Sequence, residues 1–125
     1  MKPLKFRAWH KDLKLMREII NIDIAFNEVT TIKDDVYVNT WFEGTFELMQ
    51  FTGLLDCKGN PIFEGDILRR DKISFDLMVV SFYKGMFGWE DYPDKDFTVI
   101  AGWEPERRLE IIGNIHENTE LLGDK

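Results

Sequence analysis

Residues 48–68, LMQFTGLLDCKGNPIFEGDIL, decide how this chain folds. Apolar runs of strand length alternate here with residues that form turns. Gly59 and Asn60 accept a positive φ and Pro61 cannot continue a hydrogen-bonded ladder, so this triplet predicts a tight turn. Gly65-Asp66 interrupts the next apolar run and predicts a bulge or a sharp bend. The stretch therefore predicts short strands joined by tight turns.

The first third of the chain shows the two-residue period of half-buried strands. Phe6–His10 predicts one strand, residues 11–14 a turn, and Leu15–Ile19 the partner strand of a hairpin. Apolar residues then occupy every second position from Ile20 to Phe26, and their β-branched and aromatic types favour a further strand. Residues 1–45 are therefore predicted to form a β-rich hairpin or meander segment.

Further strands are predicted on the C-terminal side. Leu77–Tyr83 is a continuous apolar run, which is typical of a strand covered on both faces. The glycine-flanked pair Met86-Phe87 predicts a hairpin tip, and Phe97–Ala101 and Leu109–Ile115 predict two short strands. Gly113-Asn114 inside the last of these predicts the close approach of another backbone.

Helical structure is predicted only in short pieces. Pro105 stands at an N1-like position of the stretch Glu104–Arg108, and Asn118 is a suitable N-cap for the turn that follows it. No long stretch has a 3.6-residue period. The predicted fold class is mainly β with short helices, an α+β arrangement.

The composition restricts the class of protein. The 125 residues suit one domain or two very small ones that share a core, and 44% of them are hydrophobic. The formal charge of -7 argues against a broadly basic nucleic-acid or membrane-surface protein. The single cysteine excludes an intramolecular disulfide framework, and neither a membrane-spanning apolar run nor a signal peptide is visible. We expect a soluble protein of the cytoplasm.

Three stretches of the chain, in this order and spacing, resemble the YopX family of phage and prophage proteins. The first is Phe6–Trp9, with Met16 at its end. The second and most specific runs from Leu48 to Ile67. The third is Ile111–Asn118 followed by Glu120-Leu121-Leu122, in which Thr119 and His116 depart from the usual proline and aromatic residue.

The resemblance implies a phage or prophage origin and a bacterial cytoplasmic location. It also implies a small SH3-like β-barrel, which we place at residues 46–125, preceded by the β-rich segment of residues 1–45. It brings no catalytic residues, because the family is one of uncharacterised function.

The residues themselves give little support to catalysis or metal binding. Cys57 lies in a predicted turn without a nucleophile signature, although a partner base such as His10 or His116 is formally available. The two histidines are far apart in sequence and show no metal-ligand spacing. No phosphate-binding glycine loop occurs. We expect no enzyme activity, no cofactor and no metal.

The charges are unevenly distributed. Residues 1–17 contain six Lys and Arg side chains against one Asp, a net +5, so the remainder carries -12. Three interpretations fit this asymmetry: the basic hairpin folds onto its own acidic body, it contacts the acidic face of another subunit, or it contacts nucleic acid with Trp9 available for stacking. Arg7 and Arg17 are the other candidate contact residues of this segment.

A second candidate surface combines Met86, Phe87, Trp89 and Tyr92. Aromatic residues of these types in a glycine-flanked polar loop are frequent in interface hot spots, while core packing is the ordinary alternative. Together these features favour a non-enzymatic protein-interaction module that self-associates and binds a host or phage protein. The alternative is a nucleic-acid-binding accessory factor of a phage.

Overall fold

The computed structural model describes residues 4–70, 77–83, 85–92, 97–99 and 109–123. The chain divides into two compact units, Met1–Gln50 and Phe51–Lys125. Antiparallel strands make up most of the described residues of both units and form two sheets. The predicted mainly β class is therefore confirmed.

The N-terminal unit contains an antiparallel meander of four strands, with a fifth strand beside the first. Its strands are β1 (Phe6–His10), β2 (Leu15–Asp23), β3 (Glu28–Lys33), β4 (Tyr37–Trp41) and the first part of β5 (Phe46–Leu55). They lie side by side in the order β4-β3-β2-β1-β5, so β4 is the edge strand on one side.

One face of this sheet forms the core of the unit. Val29 and Trp41 are cross-strand partners, and paired residues point to the same face of a sheet. The buried centre and the half-buried residues around it comprise Ala8, Val29, Trp41, Leu15, Ile19 and Phe46. Burying an aliphatic or aromatic side chain fully stabilises a fold by about 1.5–3 kcal/mol.

Strand β2 ends at Asp23, so the predicted continuation through Ile24 and Phe26 is wrong. The Asp23 carboxylate accepts the Phe26 N–H at 3.3 Å, and Asn27 has a φ of 53°. A local carboxylate–backbone bond and a left-handed asparagine favour a turn, and here they override the two-residue period. The side chains of Ile24 and Phe26 are consequently exposed.

The C-terminal unit has a second sheet with the order β10-β9-β8-β7-β11. Its elements are β6 (Pro61–Phe63), β7 (Asp66–Arg70), β8 (Leu77–Tyr83), β9 (Met86–Tyr92), β10 (Phe97–Val99), β11 (Leu109–Asn114) and a 3₁₀ helix at Thr119–Leu122. Strand β6 pairs with the end of β5. The buried core of the unit consists of Ile62, Leu68, Met78, Val80, Trp89 and Leu109.

The described strands do not close into a barrel, so the SH3-like barrel stays a prediction. The predicted helical turn at Glu104–Arg108 lies outside the described residues. Asn118 does precede a short helix, but its side chain makes no capping hydrogen bond with it. Its Oδ1 atom instead accepts the N–H of Asn114 at 3.1 Å.

Strand β8 has the predicted bounds, but only its middle is covered on both faces. Met78–Val80 is buried, whereas Phe82 and Tyr83 are half exposed. The pair Met86-Phe87 does not form the hairpin tip that we predicted, because Tyr83 pairs with Met86 and the turn lies between them. Gly85, with a φ of 81°, permits this tighter turn.

The carboxylate of Asp56 joins the turn at residues 56–60 to β11. One oxygen accepts the N–H groups of Lys58 at 2.9 Å and Asn60 at 2.8 Å, and the other accepts the N–H of Ile111 at 3.1 Å. Burial alone would raise the pKa of Asp56, but the three backbone donors outweigh it and hold this pKa below its ordinary value. One ionised group thus connects backbone segments 55 positions apart.

An ion pair lies at the same junction. The Glu110 carboxylate accepts from Lys58 at 2.6 Å and from Arg69 at 3.3 Å. The hydrogen bond to Lys58 is the main cause that lowers the pKa of Glu110, and the same bond raises the pKa of Lys58. Because Lys58 is exposed, solvent weakens this pair, and the buried Asp56 is the stronger connection.

Replacing Asp56 by Asn is expected to lower the free energy of unfolding at pH 7 by about 1–3 kcal/mol, since an amide offers one acceptor oxygen to three N–H donors. A lowered native pKa stabilises the fold above the unfolded-state pKa of about 3.9, and this contribution disappears as the pH falls through the native value. Urea unfolding between pH 7 and pH 3 measures both effects. The exposed Asp12→Asn variant is the matched control. An equal loss of stability on acidification in wild type and Asp56→Asn would contradict this role.

Gly113 lies at a bulge in β11, where the pairing with β7 shifts register. A Cβ atom at this position would lie 2.6 Å from Oδ1 and 2.8 Å from Cβ of Asn118. The predicted close approach therefore exists, but the neighbour is a side chain and not another backbone.

Gly113→Ala is expected to lower the free energy of unfolding by about 1–3 kcal/mol, because the added methyl group overlaps Asn118. In an Asn118→Gly background the same substitution should cost distinctly less. A double-mutant cycle measured by urea unfolding tests this coupling. Strictly additive costs would show that Asn118 is not the group that requires glycine here.

Candidate binding cleft and exposed strand edge

A cleft of about 420 Å³ lies in the N-terminal unit. It combines an apolar and aromatic wall with several polar groups, the usual composition of ligand sites. Its lining residues are His10, Leu13, Arg17, Asn39, Thr40, Trp41, Phe42 and Thr45.

The sheet curls around this cleft. Strands are spaced about 4.8 Å apart, so β1 and β4, with two strands between them, would be about 14 Å apart in a flat sheet. The rings of His10 on β1 and Trp41 on β4 are nevertheless only 4.9 Å apart, in an edge-to-face arrangement with an interplanar angle of 79°. Twist and curvature therefore bring the two strands together over the core face.

His10 is held in one orientation by the turn that follows it. Its Nδ1 atom accepts the N–H groups of Asp12 at 3.2 Å and Leu13 at 3.0 Å, and its carbonyl accepts the N–H of Lys14 at 2.9 Å. Because Nδ1 is an acceptor, the neutral ring carries its proton on Nε2. The side chain is buried, so it acts as a fixed wall of the cleft.

Arg17 provides the positive charge of the cleft. Its Nη1 atom donates to Asn39 Oδ1 at 2.5 Å, and its guanidinium carbon lies 5.8 Å from the centroid of the Trp41 ring. Its Nε atom is enclosed and has no hydrogen-bond partner. Within the described residues, no carboxylate forms an ion pair with this side chain. The cleft thus contains an anchored guanidinium whose charge is not neutralised.

Buried and short-range polar contacts fix the surrounding backbone. Thr31 on β3 is fully buried and donates its hydroxyl to the carbonyl of Asn39, a lining residue, at 3.2 Å. At the rim, the backbone N–H and the hydroxyl of Thr45 both donate to the carbonyl of Phe42, at 3.1 and 2.6 Å. These bonds hold β4 and the loop after it in place.

Strand β4 presents an unprotected edge beside the cleft. It pairs with β3 on one side, and no described strand pairs with its other side. Its residues from Tyr37 to Thr40 are exposed, and only Trp41 at its end is buried. The strand has no charged side chain, no proline and no bulge, which are the features that usually prevent further pairing.

The second predicted surface is only partly exposed. The residues from Met86 to Tyr92 form β9 and not a loop, and Trp89 is 6% exposed in the core of the C-terminal unit. The prediction that Trp89 is presented to a partner is therefore wrong, because its ring packs inward. Met86 is exposed, Phe87 and Tyr92 are half-buried, and a role of these three in binding stays a prediction.

The predicted contact residues of the basic segment also differ in exposure. Trp9 is 8% exposed, so its ring is not available for stacking on a base, and Arg7 is half-buried. Arg17 alone among the seven predicted contact residues lines the cleft. Asn39 and Trp41 were missed, because no sequence signal shows which strand of a meander is its edge.

Cys57 is exposed in the predicted turn. In the part of the chain that the structure describes, no three His, Cys, Asp or Glu side chains are grouped so as to hold a metal ion. The described helix is also too short and too polar to cross a membrane.

These features define a two-unit, mainly β protein with an open strand edge and an adjacent polar and aromatic cleft. The chain belongs to the YopX family, whose model, described as "YopX protein", matches residues 5–123. The resemblance found in the sequence is thereby confirmed.

Two solved structures are similar over nearly the whole chain. Protein EF1440 from Enterococcus faecalis has a TM-score of 0.67 and 29% identity, covering 98% of this chain and 99% of that chain. Protein yopX from Bacillus subtilis has a TM-score of 0.61 and 25% identity with the same coverage. No curated protein matches the sequence.

Proposed function

We propose that this protein is a non-enzymatic interaction module of a phage or prophage, that it acts in the bacterial cytoplasm, and that it self-associates through β4. The observation that supports self-association is the open, uncharged edge of this strand. The family resemblance is what supports the phage setting and the cytoplasmic location in this proposal.

The edge is suited to pairing with another strand. An unpaired edge exposes a row of backbone N–H and C=O groups, and a second strand satisfies them with ladder hydrogen bonds. In an antiparallel pair of two β4 strands, the same five residues of each copy face each other, which is the self-complementary contact of a twofold dimer.

Exposed apolar side chains surround this edge. Val36, Tyr37 and Val38 on the β3–β4 hairpin are exposed. On association, burial of their apolar area would contribute about 25 cal/mol per Å² to the free energy of binding, in addition to the backbone hydrogen bonds. Such a patch next to an open edge is more typical of an interface than of a solvated hairpin.

Val38→Lys is expected to convert the oligomer into a monomer, because a lysine on an edge strand prevents further pairing. Size-exclusion chromatography with light scattering, over a range of protein concentrations, measures the mass in solution. The melting temperature of the monomeric form should change little, since the Val38 side chain is exposed.

Leu55→Lys is the matched control, because Leu55 is a similarly exposed apolar residue of the other unit. This variant should assemble like the wild type. Assembly that survives Val38→Lys, or a wild-type protein that stays monomeric at high concentration, would refute association through β4.

A further inference from the structure

The cleft contains a charged group that lacks a counter-ion. The Arg17 guanidinium is held by Asn39 and lies against Trp41, while its enclosed Nε atom has no acceptor. Within the described residues it makes no ion pair. A half-buried guanidinium without an anion leaves hydrogen-bonding capacity unused, and an incoming carboxylate would use it.

We propose that this cleft binds a carboxylate attached to an aromatic or apolar body. The guanidinium pairs with planar carboxylates through two parallel hydrogen bonds, a geometry that a lysine does not offer. The volume of about 420 Å³ lies within the range of small-ligand sites. Because this proposal uses Arg17 and not the edge of β4, it holds whether or not the protein self-associates.

The walls of the cleft fit the remainder of such a ligand. Trp41 and Phe42 provide aromatic surface, and Leu13 on the β1–β2 turn adds an apolar side chain. Asn39 and Thr40 belong to the same lining, and the Asn39 amide, which holds Arg17, is a polar group of the cleft. Apolar walls with a few convergent polar groups orient a ligand by its charged end.

The charges around the cleft favour an anion. Its lining contains one cation and no carboxylate. The exposed turn that carries Leu13 also carries Lys11 and Lys14 against Asp12. Glu43, beside the rim, accepts a hydrogen bond from the amide of Asn27 at 3.3 Å. The local balance is positive although the whole chain has a charge of -7.

The test compares benzoate with benzamide, which has the same shape without the charge. Both are titrated into the full-length ¹⁵N-labelled wild-type protein, and chemical-shift changes are followed by NMR. We expect benzoate to bind at least about tenfold more tightly, a difference of about 1.4 kcal/mol, with shifts in the Trp41 indole N–H and in Asn39. Equal affinities, or no benzoate-dependent shift in the cleft, would overturn the proposal.

Two variants separate the cleft from general charge attraction. Arg17→Gln should reduce benzoate binding to the level of benzamide, whereas Lys14→Gln removes an exposed cation outside the lining and should change it less than about twofold. The amide spectrum of each variant shows whether it is folded. If Arg17→Gln does not fold, the comparison of the two ligands on the wild type still decides the question.

A second ligand pair identifies the source of the carboxylate. N-acetylphenylalanine imitates the C-terminus of a peptide, and its amide is the uncharged control. Tighter binding of N-acetylphenylalanine than of benzoate indicates a peptide terminus, and the reverse order indicates a free aromatic acid. Both results support the carboxylate site, whereas binding of N-acetylphenylalanine and its amide with equal affinity counts against it.

Discussion

The N-terminal unit depends on the packing of Trp41. This ring lies at the end of the edge strand, faces Val29 on the next strand, and reaches His10 edge-on and Arg17 through a cation–π contact. These contacts fasten the last strand of the meander to the first two and require the sheet to curl. The curl creates the cleft, and β4 pairs with β3 on one side, so that its other edge is open in the part of the chain that the structure describes.

Asp56 has a comparable role in the C-terminal unit. Its carboxylate accepts backbone N–H groups from a turn and from β11, so it has a structural role there. Asp66 also supports the backbone of this unit, since it is buried and accepts the N–H of Phe63 at 2.7 Å. The family motif that contains both residues therefore stabilises turns of the C-terminal unit. The candidate binding features lie in the N-terminal meander.

The sequence predicts strands well where side-chain period and turn residues agree. Phe6–His10 and the turn at Gly59 were found because both signals coincide there. The two-residue period from Ile20 to Phe26 led to a wrong prediction, because the Asp23 carboxylate accepts the N–H of Phe26 and a turn begins within this stretch. Of the residues that line the cleft, the sequence predicted only Arg17 as a contact residue. Contacts such as that of His10 with Trp41 depend on sheet curvature, which no local sequence pattern encodes.

The most direct test of β4 as the association surface is amide hydrogen exchange of residues 37–41, measured as a function of protein concentration. If two copies pair along this edge, the outward N–H groups become hydrogen-bonded, and their exchange should slow as the concentration rises, while that of residues 57–60 stays constant. If the protein oligomerises and exchange in residues 37–41 does not change with concentration, β4 is not the interface and the account is wrong.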